Sequence, residues 1–220
     1  LGDVYKRQVL HEPGDIVTLA GTRFVVLDVE RRGSLPDSLF LLALESVGAS
    51  EFGSSNNYAE SDLKKAVDKW LEDMGKRGLD NAKLIPREID LTTLDGSGCY
   101  GKLSVKAAPL TLDEARKYAD IIPNAERWCW LATGWSGPSK SDGDLALYVN
   151  SNGDWFGNDC SYSCGIRPAL ILPSTLLVSD DGTVSTNTAP STPGSISVPS
   201  SIMGGTNISI SWAKSSDAES

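Results

Sequence analysis

The chain has 220 residues, of which 40% are hydrophobic and 22% charged, and its formal net charge is −9 at pH 7. With 21 glycines and 11 prolines, this is the composition of a turn-rich protein that favours β-structure. The negative charge argues against binding to nucleic acid or to an anionic membrane surface, and the longest apolar runs are too short to span a bilayer.

The first part of the chain predicts three strands. Residues 1–8 begin without methionine and fit no later pattern, so we interpret them as an artefactual leader and place the main domain at residues 9–184. Asp15–Leu19 and Arg23–Val29 are rich in β-formers and are predicted to pair as a hairpin. Leu39–Leu44 is apolar enough to form a central strand.

Two helices are predicted next. The first begins after Ser61, a good N-cap residue, and ends at Gly75 or Gly78. Its apolar residues recur at helical spacing on one face: Leu63, Ala66, Val67, Trp70, Leu71 and Met74. The second begins at Thr111, which forms a capping box with Glu114, and its inward face is predicted to carry Leu112, Ala115, Tyr118, Ala119 and Ile122.

The later part of the main domain reads as strands and turns. Trp128–Ala132 and Leu145–Val149 are predicted strands, and we expect both Trp128 and Trp130 to fill the core. Asn152-Gly153 predicts a tight hairpin turn of type I′. Further strands are predicted at Ile166–Leu172 and in a hairpin that joins 176–178 to 183–185. Strands, two helices and then a loop-rich β half predict the α+β class.

The composition changes once more near the end. Residues 185–194 are rich in Pro, Ser and Thr and are predicted to form a linker. Residues 195–220 alternate apolar and polar side chains, which predicts two strands with Trp212 facing a core. Because so short a segment cannot bury such a face, it is interpreted as the start of a β-sandwich.

Two of the four cysteines are a candidate chemical site. Cys160 and Cys164 are four residues apart, but zinc would need further thiolate or imidazole ligands, and the single histidine, His11, lies near the dubious leader. A cysteine nucleophile lacks a histidine for the same reason. The pair therefore predicts either a disulfide or two small buried thiols. No metal, cofactor or catalytic residue is predicted.

The segment Asn150–Asp159 raises a calcium alternative. Asn150, Asn152, Asp154, Asn158 and Asp159 supply oxygen atoms at spacings similar to those of a calcium loop, although no glutamate closes the site. Asn, Asp and Gly are equally typical of tight turns.

The aromatic side chains of the same region favour a recognition surface. Trp155, Phe156 and Tyr162 lie among Ser, Gly and Asn and are flanked by turns, so we expect them to be exposed. This mixture is typical of antibody paratopes, where rigid aromatics give contact area at low entropic cost and small polar residues adapt.

Three segments carry a resemblance to a known family. WCWLATGW (128–135), LALYVNSNGDW (145–155) and SCGIRPALIL (163–172) resemble the closing part of the prophage-associated domain of unknown function 6273. The resemblance covers roughly residues 14–184, and its most specific part is the ending G-I-R-P-A-L. Leu131-Ala132-Thr133 departs from the L-R-S that is usual in the family.

The resemblance implies a C-type-lectin-like fold, close to the formylglycine-generating-enzyme branch. Some members are diversified by retroelements in the segment before the closing strand. Carried over, the ligand-binding positions would be Trp135, Tyr148, Asn150, Asn152, Asp154, Trp155, Phe156, Asn158, Asp159, Ser161 and Tyr162. Residues 195–220 resemble a truncated fibronectin type III module.

Together these features predict a non-enzymatic recognition domain of a phage tail or bacterial surface protein. Its partner would be an unknown host-surface protein or glycan, and its location would be extracellular or on a virion. Two alternatives stay open. One is a structural virion or cell-wall protein without a ligand, and the other is an enzyme, either similar to a copper-dependent cysteine oxidase or acting on cell walls.

Overall fold

The computed structural model describes residues 11–32, 35–173, 176–178 and 184–186, and the side chains within 11–30 and 38–173. The chain divides into two compact units, Leu1–Ser185 and Thr186–Ser220. The predicted leader, nearly all of the linker, and the fibronectin-type module with Trp212 lie outside the described residues.

The first unit consists mainly of strands, and the last described strand, residues 184–186, runs one residue past its end. Two α-helices are described, α1 (Asp62–Lys76) and α2 (Leu112–Lys117), and a short 3-10 helix, Tyr58–Glu60, precedes α1. The strands are β1 (Ile16–Leu19), β2 (Thr22–Arg32), β3 (Leu35–Ala43), β4 (Ala49–Glu51), β5 (Arg87–Asp90), β6 (Lys102–Val105), β7 (Ala107–Ala108), β8 (Cys129–Gly134), β9 (Leu145–Val149), β10 (Trp155–Asp159), β11 (Ser163–Gly165), β12 (Ala169–Pro173), β13 (Leu176–Val178) and β14 (Val184–Thr186).

Two five-stranded sheets organise the domain. The first sheet has the order β1-β2-β3-β12-β7, and the second sheet has the order β10-β9-β8-β11-β4. Neighbouring strands are antiparallel, except that β11 runs parallel to β8 where Gly165 pairs with Cys129. Two small pairs, β5-β6 and β13-β14, complete the described strands.

The expected α+β class, a C-type-lectin-like domain of two helices followed by a loop-rich β half, is wrong. The chain is mostly β-sheet, and α2 has only six residues. The two longest strands, β2 and β3, belong to the first half of the chain, and β12 from the second half pairs with β3. Strands from both halves therefore build each sheet, and strands and helices are not segregated along the sequence.

The core lies on both sides of the first sheet. In β2, Phe24 and Val26 belong to one apolar cluster, whereas Val25 and Leu27 belong to a second one. Successive side chains of a strand point to opposite faces, so four consecutive buried residues mean that both faces are covered. All six residues of β8 are likewise buried.

The predicted helices are confirmed, with one difference in the buried face of the second. Ser61 accepts a hydrogen bond from the Lys64 N–H at 2.9 Å, and α1 buries Leu63, Val67 and Met74. The capping box of α2 is present. Since α2 ends at Lys117, Ala119 is exposed and not inward-facing as predicted. In the described part of the chain, no helix has the length and apolarity needed to cross a membrane.

The hairpin predicted at Asn152-Gly153 forms between β9 and β10, but its turn differs from the prediction. Trp155 pairs with Val149, so the loop has five residues, and Gly153 has a positive φ of 91° while Asn152 does not. The Oδ1 atom of Asn150 accepts hydrogen bonds from the N–H groups of Asn152 (2.8 Å) and Asp154 (3.0 Å). This side-chain cap holds the longer loop, which removes the need for a type I′ turn.

Candidate functional site

The predicted ligand-binding residues lie along the edge of the second sheet, in and around the β9-β10 hairpin. The middle of the segment that was expected to be a displayed loop is the strand β10, whose backbone pairs with β9 from Trp155 to Asp159. The predicted residues occupy the following places: Trp135 directly after β8, Tyr148 in β9, Asn150, Asn152 and Asp154 in the hairpin loop, Trp155, Phe156, Asn158 and Asp159 in β10, and Ser161 and Tyr162 in the turn before β11.

Three aromatic rings form a continuous row across the strands of this sheet, which we call the aromatic row: Trp128, Tyr148 and Phe156. The Trp128 and Tyr148 rings are stacked with centroids 5.0 Å apart, and the Phe156 ring lies 6.0 Å from Tyr148 on its other side. Tyr148 and Phe156 are directly paired in the β9-β10 register. The two outer rings are about half exposed, Trp128 at 49% and Phe156 at 47%.

The middle ring of the row, Tyr148, is supported by contacts with the core. Tyr148 is 8% exposed and contacts the edge of Trp130 at a centroid distance of 6.3 Å. Trp130 is 1% exposed, as predicted, and its indole N–H donates to the Ser50 carbonyl at 3.0 Å. The core therefore fixes the position of Tyr148, and Tyr148 in turn positions the two exposed rings.

Trp128 corrects the sequence prediction, which placed it in the core with Trp130. It precedes the first residue of β8, so its side chain lies beyond the covered part of the strand and stacks on Tyr148. Alternation along the strand places Trp128 and Trp130 on the same face, but it does not indicate how far along the strand other residues of the core cover that face.

Trp155 and Phe156 are both exposed, as expected, but they lie on opposite faces of β10. Phe156 joins the aromatic row, whereas the Trp155 ring lies under the Arg116 guanidinium at 5.7 Å and lines a cavity beside α2. Since adjacent strand residues point in opposite directions, these two rings cannot act as one flat surface. Tyr162, at 61%, is the most exposed of the three.

Trp135 was expected to contact a ligand, but it is half-buried and packs on β10. A Cβ at Gly157 would lie 2.4 Å from Cε3 of its indole ring, so the ring occupies the space above that glycine. A glycine inside a strand often marks such a close approach, and this signal was present in the sequence.

The polar residues of the segment mainly shape turns. Besides the Asn150 cap, Oδ1 of Asp159 accepts a hydrogen bond from the Ser161 N–H at 2.8 Å, and the hydrogen bonds from the Ser161 side chain and backbone lower the pKa of the Asp159 carboxyl. No group of three or more His, Cys, Asp or Glu side chains that could hold a metal ion is found within the described residues. The oxygen atoms that suggested a calcium loop are thus already used by backbone donors at Asn150 and Asp159.

The predicted disulfide between Cys160 and Cys164 is not formed, and the structure shows the other alternative, two buried thiols. Burial raises the pKa of Cys160 to about 12 and that of Cys129 to about 11, and it also raises the pKa of Cys164. A thiol is nucleophilic only as the thiolate, so these three residues are unreactive at neutral pH. Cys99 is exposed.

Comparisons with protein-family models, curated proteins and solved structures find no match for this chain. The resemblance to the prophage-associated family stays a prediction, and the functional argument depends on the geometry of the aromatic row and its surroundings.

Proposed function

We propose that this chain is a non-enzymatic recognition domain that binds a surface protein or glycan through the aromatic row. The observation that carries the proposal is the arrangement of Trp128, Tyr148 and Phe156 as three contacting rings, two of them half exposed. Exposed apolar groups that cluster on a folded surface are a common mark of interaction sites. The phage-tail or bacterial-surface setting is supported by the sequence resemblance.

The side chains of the aromatic row are already held in place, so they should lose little conformational entropy when a partner binds. Tyr148 and Phe156 lie in paired strands, and Trp130 packs against Tyr148 from the core side. Rings that are already fixed lose little side-chain entropy on contact, and preorganisation of this kind raises affinity. Aromatic residues are also the commonest energetic hot spots of protein interfaces.

Two features favour this function over the alternatives. A structural protein without a ligand would have its rings packed inside or against a neighbouring subunit, and the half exposure of Trp128 and Phe156 argues against packing inside. An enzyme of the cysteine-oxidase type would need thiols that a substrate can reach, whereas Cys160 and Cys164 are buried.

The test is a glycan and surface-protein array probed with the full chain and with four single variants. We expect Trp128→Ala and Phe156→Ala each to weaken binding by about 30-fold, the size of a 2 kcal/mol hot spot. Trp155→Ala removes an exposed ring on the other face of β10, and Ile16→Ala removes an apolar side chain that is 49% exposed elsewhere. Both controls should bind like the wild type.

The proposal is wrong if the array ligand binds all four variants equally, since the contact then lies outside the aromatic row. It is also wrong if the chain binds nothing on either array but turns over a cell-wall substrate. Thermal unfolding of each variant shows whether weaker binding comes from the missing ring or from an unfolded protein. Because the two exposed rings contribute little to the core, we expect these variants to stay folded.

A further inference from the structure

A cavity of about 90 Å³ lies on the other face of β10, behind Trp155. Its walls come from the β9-β10 hairpin, from the segment that follows α2 and from the core side of β8. Apolar side chains dominate the lining, among them Leu131, Val149 and Ile122. A single water needs roughly 10–15 Å³ of such volume, so the cavity is large enough for a ligand of several heavy atoms.

Arg167 lines this cavity and is only 7% exposed. Its Nε donates to the Ala43 carbonyl at 2.7 Å and its Nη1 to the Pro123 carbonyl at 2.9 Å. Its Nη2 is buried and donates to no atom within the described part of the chain. An arginine N–H forms a strong, charge-assisted hydrogen bond to a carboxylate, and the Nη2 of this guanidinium is left for such a contact.

Among the residues that the structure describes, no ion pair neutralises the charge of Arg167. Burial lowers the pKa of the guanidinium, and the Coulomb interactions with Cys129 and Glu45 oppose this shift, but no salt bridge joins Arg167 to Glu45. Arginine keeps its charge in proteins, and an isolated buried charge is costly unless an opposite charge compensates it. An anion that enters the cavity would supply that compensation.

We propose that this cavity binds the carboxylate of a short aliphatic acid, with Arg167 as the charge partner and the walls of Leu131 and Val149 around the hydrocarbon. The carboxylate could belong to a free acid or to the C-terminus of a peptide, and both carry the same chemistry. This site is independent of the aromatic row, since Trp155 and Phe156 lie on opposite faces of β10.

The test follows the indole N–H signal of Trp155 in the full chain by NMR, assigned with Trp155→Phe. Butyrate is the probe and butyramide its neutral analogue, and Gly-Gly-Val with a free or an amidated C-terminus tests the peptide source. We expect butyrate to bind at least about tenfold more tightly than butyramide, the usual strength of a hydrogen bond to a charged group.

Two variants link the binding to the cavity. Ala119 is exposed and lines the cavity, so Ala119→Leu should narrow it and weaken butyrate binding by about fivefold or more. Ala82→Leu adds the same side chain at an exposed alanine that does not line the cavity, and it should have no effect. Arg167→Gln should remove the preference for the acid over the amide.

The proposal is overturned if acid and amide bind equally, if no probe shifts the Trp155 signal, or if Ala119→Leu and Ala82→Leu behave alike. In each of these cases Arg167 is a structural residue that ties Ala43 to Pro123. If Arg167→Gln does not fold, the comparison of acid with amide on the wild type and on Ala119→Leu decides the question.

Discussion

Replacing Gly157 by alanine tests the packing that supports β10. The added Cβ would lie 2.4 Å from Cε3 and 2.7 Å from Cζ3 of Trp135. Carbon atoms in contact are about 3.5–4.0 Å apart, so the indole has to retreat by roughly 1 Å. Trp135 packs against the second apolar cluster of the core, and a shift of its ring disturbs that packing.

The expected cost follows from overpacking alone. Gly157 does not have the left-handed φ that would strain an alanine, so no backbone penalty is added. Forcing extra carbon into a packed site typically costs about 1–3 kcal/mol, and for a domain of this size each kcal/mol lowers the Tm by about 2–4 °C. We therefore expect Gly157→Ala to unfold about 2–12 °C below the wild type.

Thermal and urea unfolding measure this effect against a matched control. Gly98→Ala adds the same carbon where no heavy atom lies within 4 Å and φ is ordinary, so its stability should be unchanged or higher by up to about 1 kcal/mol. In a Trp135→Leu background, the cost of Gly157→Ala should largely vanish, because the clashing ring is gone. An undiminished cost in that background, or an unchanged Tm of Gly157→Ala, would refute the reasoning.

Three further predictions concern the thiols and the helix cap. In the native protein at pH 8, the thiol reagent DTNB should modify Cys99 rapidly and the three buried cysteines only on unfolding, so a rapid reaction of two or more thiols contradicts the structure. In the unfolded chain a thiol has a pKa near 9, whereas in the folded protein the pKa is about 11 for Cys129 and about 12 for Cys160. The two protonated thiols therefore contribute fully to the free energy of unfolding below pH 9, and this contribution is lost as the pH rises toward 12. Cys160→Ala should flatten that alkaline decline in the urea midpoint, and an equally steep decline would show that Cys160 is not its source. Thr111→Ala removes half of the capping box with Glu114 and should cost about 1 kcal/mol in urea unfolding, whereas Thr111→Ser should cost much less.

The elements that the sequence predicted correctly are those whose signals are local. The capping box at Thr111, the helical spacing that ends at Met74 and the hairpin around Asn152-Gly153 each have a signal within a few residues of the element, although the turn type of the hairpin was predicted wrongly. Helices and hairpins form between neighbours in the chain, so a short window is enough to recognise them.

The pairing of distant strands was not predictable in the same way. β12 pairs with β3 across more than a hundred residues, as in Leu170 with Leu41, and Gly165 of β11 pairs with Cys129 of β8. Apolar alternation shows that a strand has a buried face but does not identify its partner. Strands of two to four residues, such as β4 and β7, are also too short for their alternation to be recognised.

The candidate site shows the same limit at the scale of single residues. Composition indicated exposed aromatics near residues 155–162, and Trp155, Phe156 and Tyr162 are exposed. Without the strand assignment, however, adjacent residues were assigned to one surface. Trp128 was missed because the covered part of β8 begins only after it, and where that cover begins depends on neighbouring strands and not on the sequence of β8 itself.

The strand β10 therefore contributes to two different surfaces, one on each of its faces, although the sequence suggested a single surface. Phe156 contributes to the aromatic row, and Trp155 covers the cavity that contains Arg167. Gly157 leaves room for Trp135 on the Trp155 face, so that face stays packed while the other remains open to a large partner. Because the side-chain period of a strand is two, a change at one of these positions alters one surface and leaves the other intact. A segment with this geometry can vary its contact with a macromolecule while it keeps the shape of the cavity behind it.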